Sequence, residues 1–200
     1  KPDAGRSITN LIVRTVDLET ETSEVILELW KQHETETLPL VSLQSTPKLG
    51  PPQTIWSGEL SAETVAALIT SPVRSQLRDR LIAGDSVVWV FLESGVKESD
   101  DAAFSLLEQE LARLQNVIEL PAIEEQDLAE LTLDPEELKI AFSTLRLSRD
   151  DEEERPLVEM LLRVEPDLLE EPFVNQAMAF PIFGRGRALY ALVGDGITAE

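Results

Sequence analysis

The chain has 200 residues, which is enough for one large domain or two small ones. It contains no cysteine, and it has 38 acidic against 17 basic side chains. The missing thiols exclude disulfide bonds, thiolate nucleophiles, cysteine-ligated zinc and iron–sulfur clusters, and they leave the redox compartment open. The formal charge of −21 excludes nucleic acid and anionic lipid as partners, because both are bound through cationic contacts. A basic partner or a weakly held divalent cation stays open.

The charge is unevenly distributed. Residues 1–83 hold 8 basic and 11 acidic side chains, whereas residues 84–200 hold 9 basic and 27 acidic ones. No apolar run approaches the roughly 18 residues that cross a bilayer, so no membrane insertion of this segment is expected. The polar opening KPDAGRSITN and the closing GDGITAE, which looks like an interrupted helix start, indicate that both ends were trimmed. A trimmed N-terminus favours an exported, extracytoplasmic protein.

The first half predicts strands and helices in alternation. The run LIVRTVDLE, Leu11–Glu19, is rich in β-branched residues and predicts a strand, and TSEVILELWKQH has the apolar spacing of a helix. Two short strands follow, LVSLQ and QTIWSG, separated by the turn-rich STPKLGPP. LSAETVAALIT then predicts a helix capped by Ser61. PVRSQLRDRLIAG predicts a second helix that ends at Gly84 and buries Val73, Leu77 and Leu81.

The second half begins with the unbroken apolar run SVVWVFLES, which predicts a central strand buried on both faces of a sheet. The helix DDAAFSLLEQELARLQNVI follows, with an apolar stripe formed by Phe104, Leu107, Leu111 and Leu114. After an acidic connection come a strand, KIAFSTLRLS, the acidic run RDDEEER, and a helix, PLVEMLLRVE, that begins near Pro156. AMAFPIFGRGRALYALVG predicts two strands joined by a glycine-rich turn.

The two halves share an order of elements. Each runs strand, helix, strand and strand, and each then reaches a helix-start signal, LSAE at 60–63 and ITAE at 197–200. Pro39 leads the third element of the first half, and Pro181 lies in the third element of the second. This order indicates two copies of one unit, with a boundary between residues 83 and 84. Chance similarity between two strand–helix–hairpin segments is the alternative.

From Ser86 the order strand, helix, strand, helix, proline, strand, strand and helix start resembles the thioredoxin fold. In that fold a proline precedes the third core strand. The residues that carry the likeness are VVWVFLES, KIAFSTLRLS, AFPIF and GRGRALYALVG, together with Pro181. Residues 10–83 look like an incomplete copy, with Pro39 in the matching place. The resemblance implies an α/β protein with a mixed sheet flanked by helices, in two related units of which the first is incomplete.

The chain departs from the redox members of that family at the junction between the first core strand and its helix. Those proteins carry C-x-x-C there, because the helix N-terminus stabilises one thiolate and the second sulfur closes the disulfide. Here the junction reads ESGVKESDD, which cannot carry thiol–disulfide exchange. Asp100 and Asp101 are expected to serve the helix N-terminus electrostatically. Cysteine-less members are commonly binding or scaffold modules, so the resemblance implies a non-enzymatic role without a cofactor.

The turn FGRGRA is a locally basic spot in the acidic half. Arg185 and Arg187 would lie on one face of a strand or flank a turn, where they could grip a carboxylate or a phosphate through bidentate hydrogen bonds. The alternative is a hairpin in which Gly184 and Gly186 supply positive φ and both arginines pair with nearby acids.

Three further features have competing interpretations. Trp56 could be a partly exposed anchor for a partner, whereas Trp89 is expected in the core. His33, the sole histidine, cannot anchor a zinc site unaided and is expected at an exposed helix end. An acidic run could gather a divalent cation, but it lacks the spacing of a calcium loop, and a solvated helix start is the favoured interpretation. The members of this run are Asp150, Asp151, Glu152 and Glu153.

The resemblance and the charge together predict a non-enzymatic module that binds another protein or scaffolds an assembly. Its expected contact surfaces are the STPKLGPPQTIW edge and the FGRGRA hairpin. The residues expected to contact a partner are Arg185, Arg187, Trp56, Pro39 and Pro181. An acidic, low-affinity binder of divalent cations is the second hypothesis, and an enzyme with carboxylate or serine chemistry is the third. The partner, the biological process and the oligomeric state stay open.

Overall fold

The computed structural model describes residues 12–31, 38–45, 53–119 and 139–198. The chain is a mixed α/β protein that divides into two units, Lys1–Ile69 and Thr70–Glu200.

The first unit contains a β-hairpin and two helices. In chain order its elements are α1 (Glu24–Lys31), β1 (Leu40–Ser45), β2 (Gln53–Glu59) and α2 (Ala62–Ile69). The two strands are antiparallel, and their register shifts between Leu43 and Gln44. Ser61 caps α2 as predicted, because its hydroxyl accepts a hydrogen bond from the Thr64 amide at 3.1 Å.

The strand predicted over residues 11–19 is wrong for the part of it that the structure describes. Residues 12–17 have no regular structure and 18–20 form a turn, with Ile12 97% and Val13 89% exposed. Asp17 is the physical reason. Its main-chain carbonyl accepts hydrogen bonds from the Thr20 and Glu21 amides, and its carboxylate accepts one from the Glu19 amide at 3.0 Å. A local Asp turn thus wins over the β-propensity of the preceding residues.

The second unit contains the larger sheet and its flanking helices. Its elements are α3 (Pro72–Ile82), β3 (Val87–Leu92), α4 (Lys97–Val117), β4 (Phe142–Leu147), α5 (Arg155–Leu161), β5 (Met178–Phe183), β6 (Arg187–Ala188) and β7 (Leu192–Val193), with short 3-10 turns at Pro166–Leu169 and Gly194–Gly196.

The sheet has the strand order β4-β3-β5-β6, and β7 also pairs with β5. β3 runs parallel to β4 and antiparallel to β5, so it is the central strand that its apolar run predicted. The second strand predicted after the glycine-rich turn is split into β6 and β7. The Ala191 amide, in the interruption, donates a hydrogen bond to the Glu165 carboxylate at 3.0 Å.

The two faces of this sheet bury different side chains. Val88, Val90 and Leu92 point to the face covered by α3 and α5, and all three are fully buried. Phe91 points to the opposite face, where Leu107 and Leu111 of α4 cover it. This alternation follows from the pleat of a strand.

The outer edge of β4 is closed by side chains from both flanking helices. Gln115 of α4 accepts a hydrogen bond from the Phe142 amide at 2.7 Å, and Arg80 of α3 donates one to the Thr144 carbonyl at 2.6 Å. Such side chains occupy main-chain groups that an added strand would need.

The unit boundary lies between Ile69 and Thr70 rather than at the predicted position between residues 83 and 84. Val73 and Leu77 of α3 are buried in the core of the second unit. Ser71 and Glu154 fasten the start of α3: Glu154 is 1% exposed and accepts hydrogen bonds from the Ser71 hydroxyl and, at 2.7 Å, from the Val73 amide. The sequence could not show this contact, since its partners are 83 residues apart.

Candidate functional site

The junction between β3 and α4 is closed by the carboxylate of Asp100. This side chain is 2% exposed and accepts hydrogen bonds from the Ser94 amide at 2.9 Å, the Ser94 hydroxyl at 2.8 Å and the Gly95 amide at 3.0 Å. Asp100 therefore fixes the turn that enters the helix. The expectation that it acts on the helix N-terminus missed this role.

Arg149 joins the same junction to the start of β5. Its guanidinium donates to the Glu93 carbonyl at 2.8 Å and to the Gln176 carbonyl at 2.7 Å. Burial lowers the pKa of Arg149, and the attraction of the Asp100 carboxylate opposes that shift. One cation thus holds the carboxyl end of β3 against the segment that leads into β5.

A second, more exposed cluster surrounds Arg146 on β4. Its guanidinium lies 2.6 Å from the Glu93 carboxylate and 2.7 Å from the Asp101 carboxylate, and 4.9 Å from the centre of the Phe104 ring. The hydrogen bond to Asp101 raises the pKa of Arg146. Hydrogen bonds from Lys97 and then Arg146 lower the pKa of Asp101. Asp101 thus pairs with two cations, Lys97 of its own helix and Arg146 of β4.

A groove of about 590 Å³ opens beside the junction. The start of α4 forms one wall, and the segments before β5 and after β7 form the other. Small and apolar side chains form much of the lining, namely Val96, Ala102, Ala103, Leu106, Ala177 and Ile197. Polar groups complete it, namely Ser94, Ser99, Asn175, Gln176, Asp195 and Thr198. Such a surface binds through apolar contact and is oriented by a few polar groups.

Gly194 allows the second wall to close. Its φ is +51°, and a Cβ placed there would lie 1.8 Å from Oε1 of Gln176. Its amide donates to the Ala177 carbonyl at 2.9 Å. Glycine is the residue that fits this conformation and this close approach.

The predicted contact residues are divided between the two units. Trp56 lies in β2 opposite Leu43, with its indole over Gly58, and Pro39 precedes β1; both are in the first unit. In the second unit, Arg185 lies on the β5–β6 turn and Arg187 begins β6. Most of the STPKLGPP loop, residues 46–52, and His33 are outside the described residues.

The equivalence of Pro39 and Pro181 is wrong. Pro39 is exposed and lies just before a strand, whereas Pro181 is buried in the middle of β5, opposite Trp89. The indole nitrogen of Trp89 is buried without a hydrogen-bond partner among the described residues. The sequence already places Pro39 before its strand and Pro181 within its strand, so the shared element order did not make the two positions equivalent.

The acidic run before α5 does not converge on a point. Asp150, Asp151, Glu152 and Glu153 are all exposed; Glu152 pairs with Arg155 at 3.4 Å, and Asp151 accepts from the Glu153 amide at 3.0 Å. Within the ranges that the structure describes, no group of three or more acidic or histidine side chains could hold a metal ion.

Sequence reasoning missed the residues that build the groove. Asp100 carried a signal, since it follows a strand and a glycine-containing turn, but the sequence did not show which groups donate hydrogen bonds to it. Arg149 carried none, because its two carbonyl partners lie 56 and 27 residues away.

A scan against protein-family models, a search of curated proteins and a search of solved structures each found no match to the chain. Among the helices in the described ranges, none has both the length and the apolar character needed to cross a membrane.

Proposed function

We propose that the chain is a non-enzymatic binding or scaffold module of the thioredoxin-like superfamily, with an incomplete first unit and a more complete second one. The element order of the second unit supports the family: β3, α4, β4, α5, β5 and β6 follow the order strand, helix, strand, helix, strand, strand. The order α1, β1, β2, α2 in the first unit parallels the end of that series. The element order supports the family resemblance, whereas Pro39 and Pro181 do not, because they occupy different positions relative to their strands.

The observation that carries the proposed function is the groove beside the junction. In redox members of the family, that junction holds the reactive cysteines. Here Asp100 and Arg149 fix the backbone of the junction: Asp100 accepts a hydrogen bond from the Gly95 amide, and Arg149 donates one to the Glu93 carbonyl. An open groove with small apolar side chains lies next to the junction. A rigid turn beside an accessible groove suits recognition of another molecule.

The occupant that fits is an extended segment of another protein, with small apolar side chains flanked by basic ones. The lining includes Ala102, Ala103 and Ala177, whose small side chains leave room for small apolar groups of a bound segment. Among the lining residues the charged one is Asp195, and the exposed Glu98 lies on the first turn of α4. These carboxylates favour lysine or arginine beside the bound segment.

A random peptide library displayed on phage and selected on the full chain tests this function. We expect enrichment of peptides with small apolar residues between basic ones. Ala102→Trp fills the groove from an exposed position of α4 and should weaken the selected peptides by about tenfold or more.

Ala112→Trp is the matched control, because Ala112 is an exposed alanine of the same helix that does not line the groove. It should leave binding unchanged. A library without enrichment, or peptides that bind the Ala102→Trp variant as tightly as the original chain, would refute the proposed function. No observation within the described residues favours the alternative function of binding divalent cations.

A further inference from the structure

The hairpin between β5 and β6 presents two arginines at one end of the sheet. The Gly186 amide donates to the Phe183 carbonyl at 3.1 Å and closes the turn, in which Gly184 and Gly186 have φ values of +59° and +84°. Arg185 is at the tip. Arg187 begins β6 opposite Phe183, and both arginines are exposed.

Neither arginine has an ion pair or a side-chain hydrogen bond within the described part of the chain. Other arginines of the second unit donate to a carboxylate or to a main-chain carbonyl, namely Arg78, Arg80, Arg113, Arg146, Arg149, Arg155 and Arg163. Within the described residues, therefore, no acid pairs with Arg185 or Arg187. The glycines of the turn do have the positive φ values that a hairpin predicts.

Apolar surface continues from the arginines along the chain. Leu189 and Tyr190 are 49% and 44% exposed, whereas Ala188 between them and Arg187 packs against the core. Arginine and tyrosine side chains dominate the binding energy of many protein interfaces, because they combine large contact area with directional hydrogen bonds. The hairpin therefore has the composition of a contact surface.

We infer that this hairpin binds an acidic, extended segment of another protein, with Arg185 and Arg187 pairing to its carboxylates and Leu189 and Tyr190 contacting an apolar side chain. The inference rests on the proposed function as a binding module and names a second partner chemistry for it. The acidic remainder of the chain does not cancel the attraction, because charges beyond about 8 Å are largely screened at physiological ionic strength.

The hairpin and the groove lie at opposite ends of the sheet. Phe183 beside the hairpin is paired with Val87 at the start of β3, and Met178, close to the groove, is paired with Leu92 at its end. Six residues of strand separate the two ends by roughly 17 Å. A scaffold with this arrangement holds two segments of opposite charge at once.

Fluorescence anisotropy with defined probes tests the inference on the full chain. The probe is a short labelled peptide of alternating glutamate and leucine, and its counterparts carry glutamine or lysine in place of glutamate. We expect the glutamate peptide to bind more tightly than its glutamine counterpart and to weaken by about tenfold for each arginine removed in Arg185→Gln and Arg187→Gln. Added salt should weaken it further.

The double variant Arg78→Gln/Arg155→Gln is the matched control, because it changes the net charge equally at arginines that already have acidic partners. It should bind the glutamate peptide like the original chain. Equal binding of the glutamate and glutamine peptides, or an unchanged affinity in Arg185→Gln/Arg187→Gln, overturns the inference. The peptides selected on the groove and the Ala102→Trp variant test the proposed function separately. The inference about the hairpin can therefore be refuted while the proposed function stands, and the reverse.

Discussion

Asp100 shows how one side chain determines the geometry of the junction. Asp100→Ala removes its acceptor contacts and leaves the Ser94 and Gly95 amides without their partner. Because these amides face a carboxylate that is 2% exposed, the free energy of unfolding should fall by about 2–4 kcal/mol. Asp100→Asn keeps one acceptor oxygen and should lose less. Urea unfolding followed by tryptophan fluorescence measures both.

Glu98→Gln is the control for Asp100, since Glu98 is exposed in the same helical turn. It should change the free energy of unfolding by no more than about 0.5 kcal/mol. If Asp100→Ala unfolds at the same urea concentration as the original chain, the carboxylate does not hold the junction.

Asp101 makes stability depend on pH in a defined direction. Lys97 and Arg146 lower the pKa of its carboxyl in the folded state. Its contribution is therefore present above the unfolded-state pKa of about 3.9, and it is lost as the pH falls through the lower folded-state value. Asp101→Asn should lower the urea midpoint at about pH 7 and should have a smaller effect at about pH 3, below the unfolded-state pKa. A difference of equal size at both pH values would contradict this assignment.

At the scale of elements, α3 belongs to the second unit through its packing. Leu77 is 8% exposed in the core formed with β3, β4 and α5. Leu77→Ala should therefore lower the free energy of unfolding of the full chain by about 2–4 kcal/mol. Ile82→Ala, in the same helix but at a side chain that is 77% exposed, should cost less than about 0.5 kcal/mol. Equal effects of the two substitutions would mean that α3 does not pack as described.

Elements whose residues act locally could be predicted from the sequence. The apolar run of β3 and the apolar stripe of α4 identify a central strand and its covering helix, because burial sets both periodicities. Capping of α2 by Ser61 was predictable because it is local: the Ser61 hydroxyl accepts a hydrogen bond from the Thr64 amide, only three residues along the chain.

Elements that depend on distant partners could not be predicted in this way. The run at residues 12–17 has the composition of a strand, yet the turn at Asp17 takes precedence. The unit boundary was misplaced because Glu154, which fastens α3, lies far along the chain from Ser71. The groove was missed for the same reason: its walls come from α4, the segment before β5 and the segment after β7.

For the whole molecule, the dominant property is its charge of −21. Repulsion among excess carboxylates destabilises the folded chain, and dissolved salt weakens that repulsion. The melting temperature should therefore rise as NaCl increases from about 0.01 M to about 0.3 M, over which the Debye length falls from about 30 Å to below 10 Å. Each kcal/mol of repulsion relieved should raise it by about 2–4 °C.

Divalent cations separate this general screening from a specific site. If the excess acids act only through their summed field, millimolar CaCl₂ and MgCl₂ should raise the melting temperature equally when the ionic strength is matched with NaCl. A bound ion stabilises the folded state in proportion to its own affinity, so a specific site would give calcium an additional increase that saturates. Such an increase would revive the divalent-cation hypothesis and direct attention to residues 150–153, whereas equal curves leave the acidic surface as a source of solubility and of attraction for basic segments.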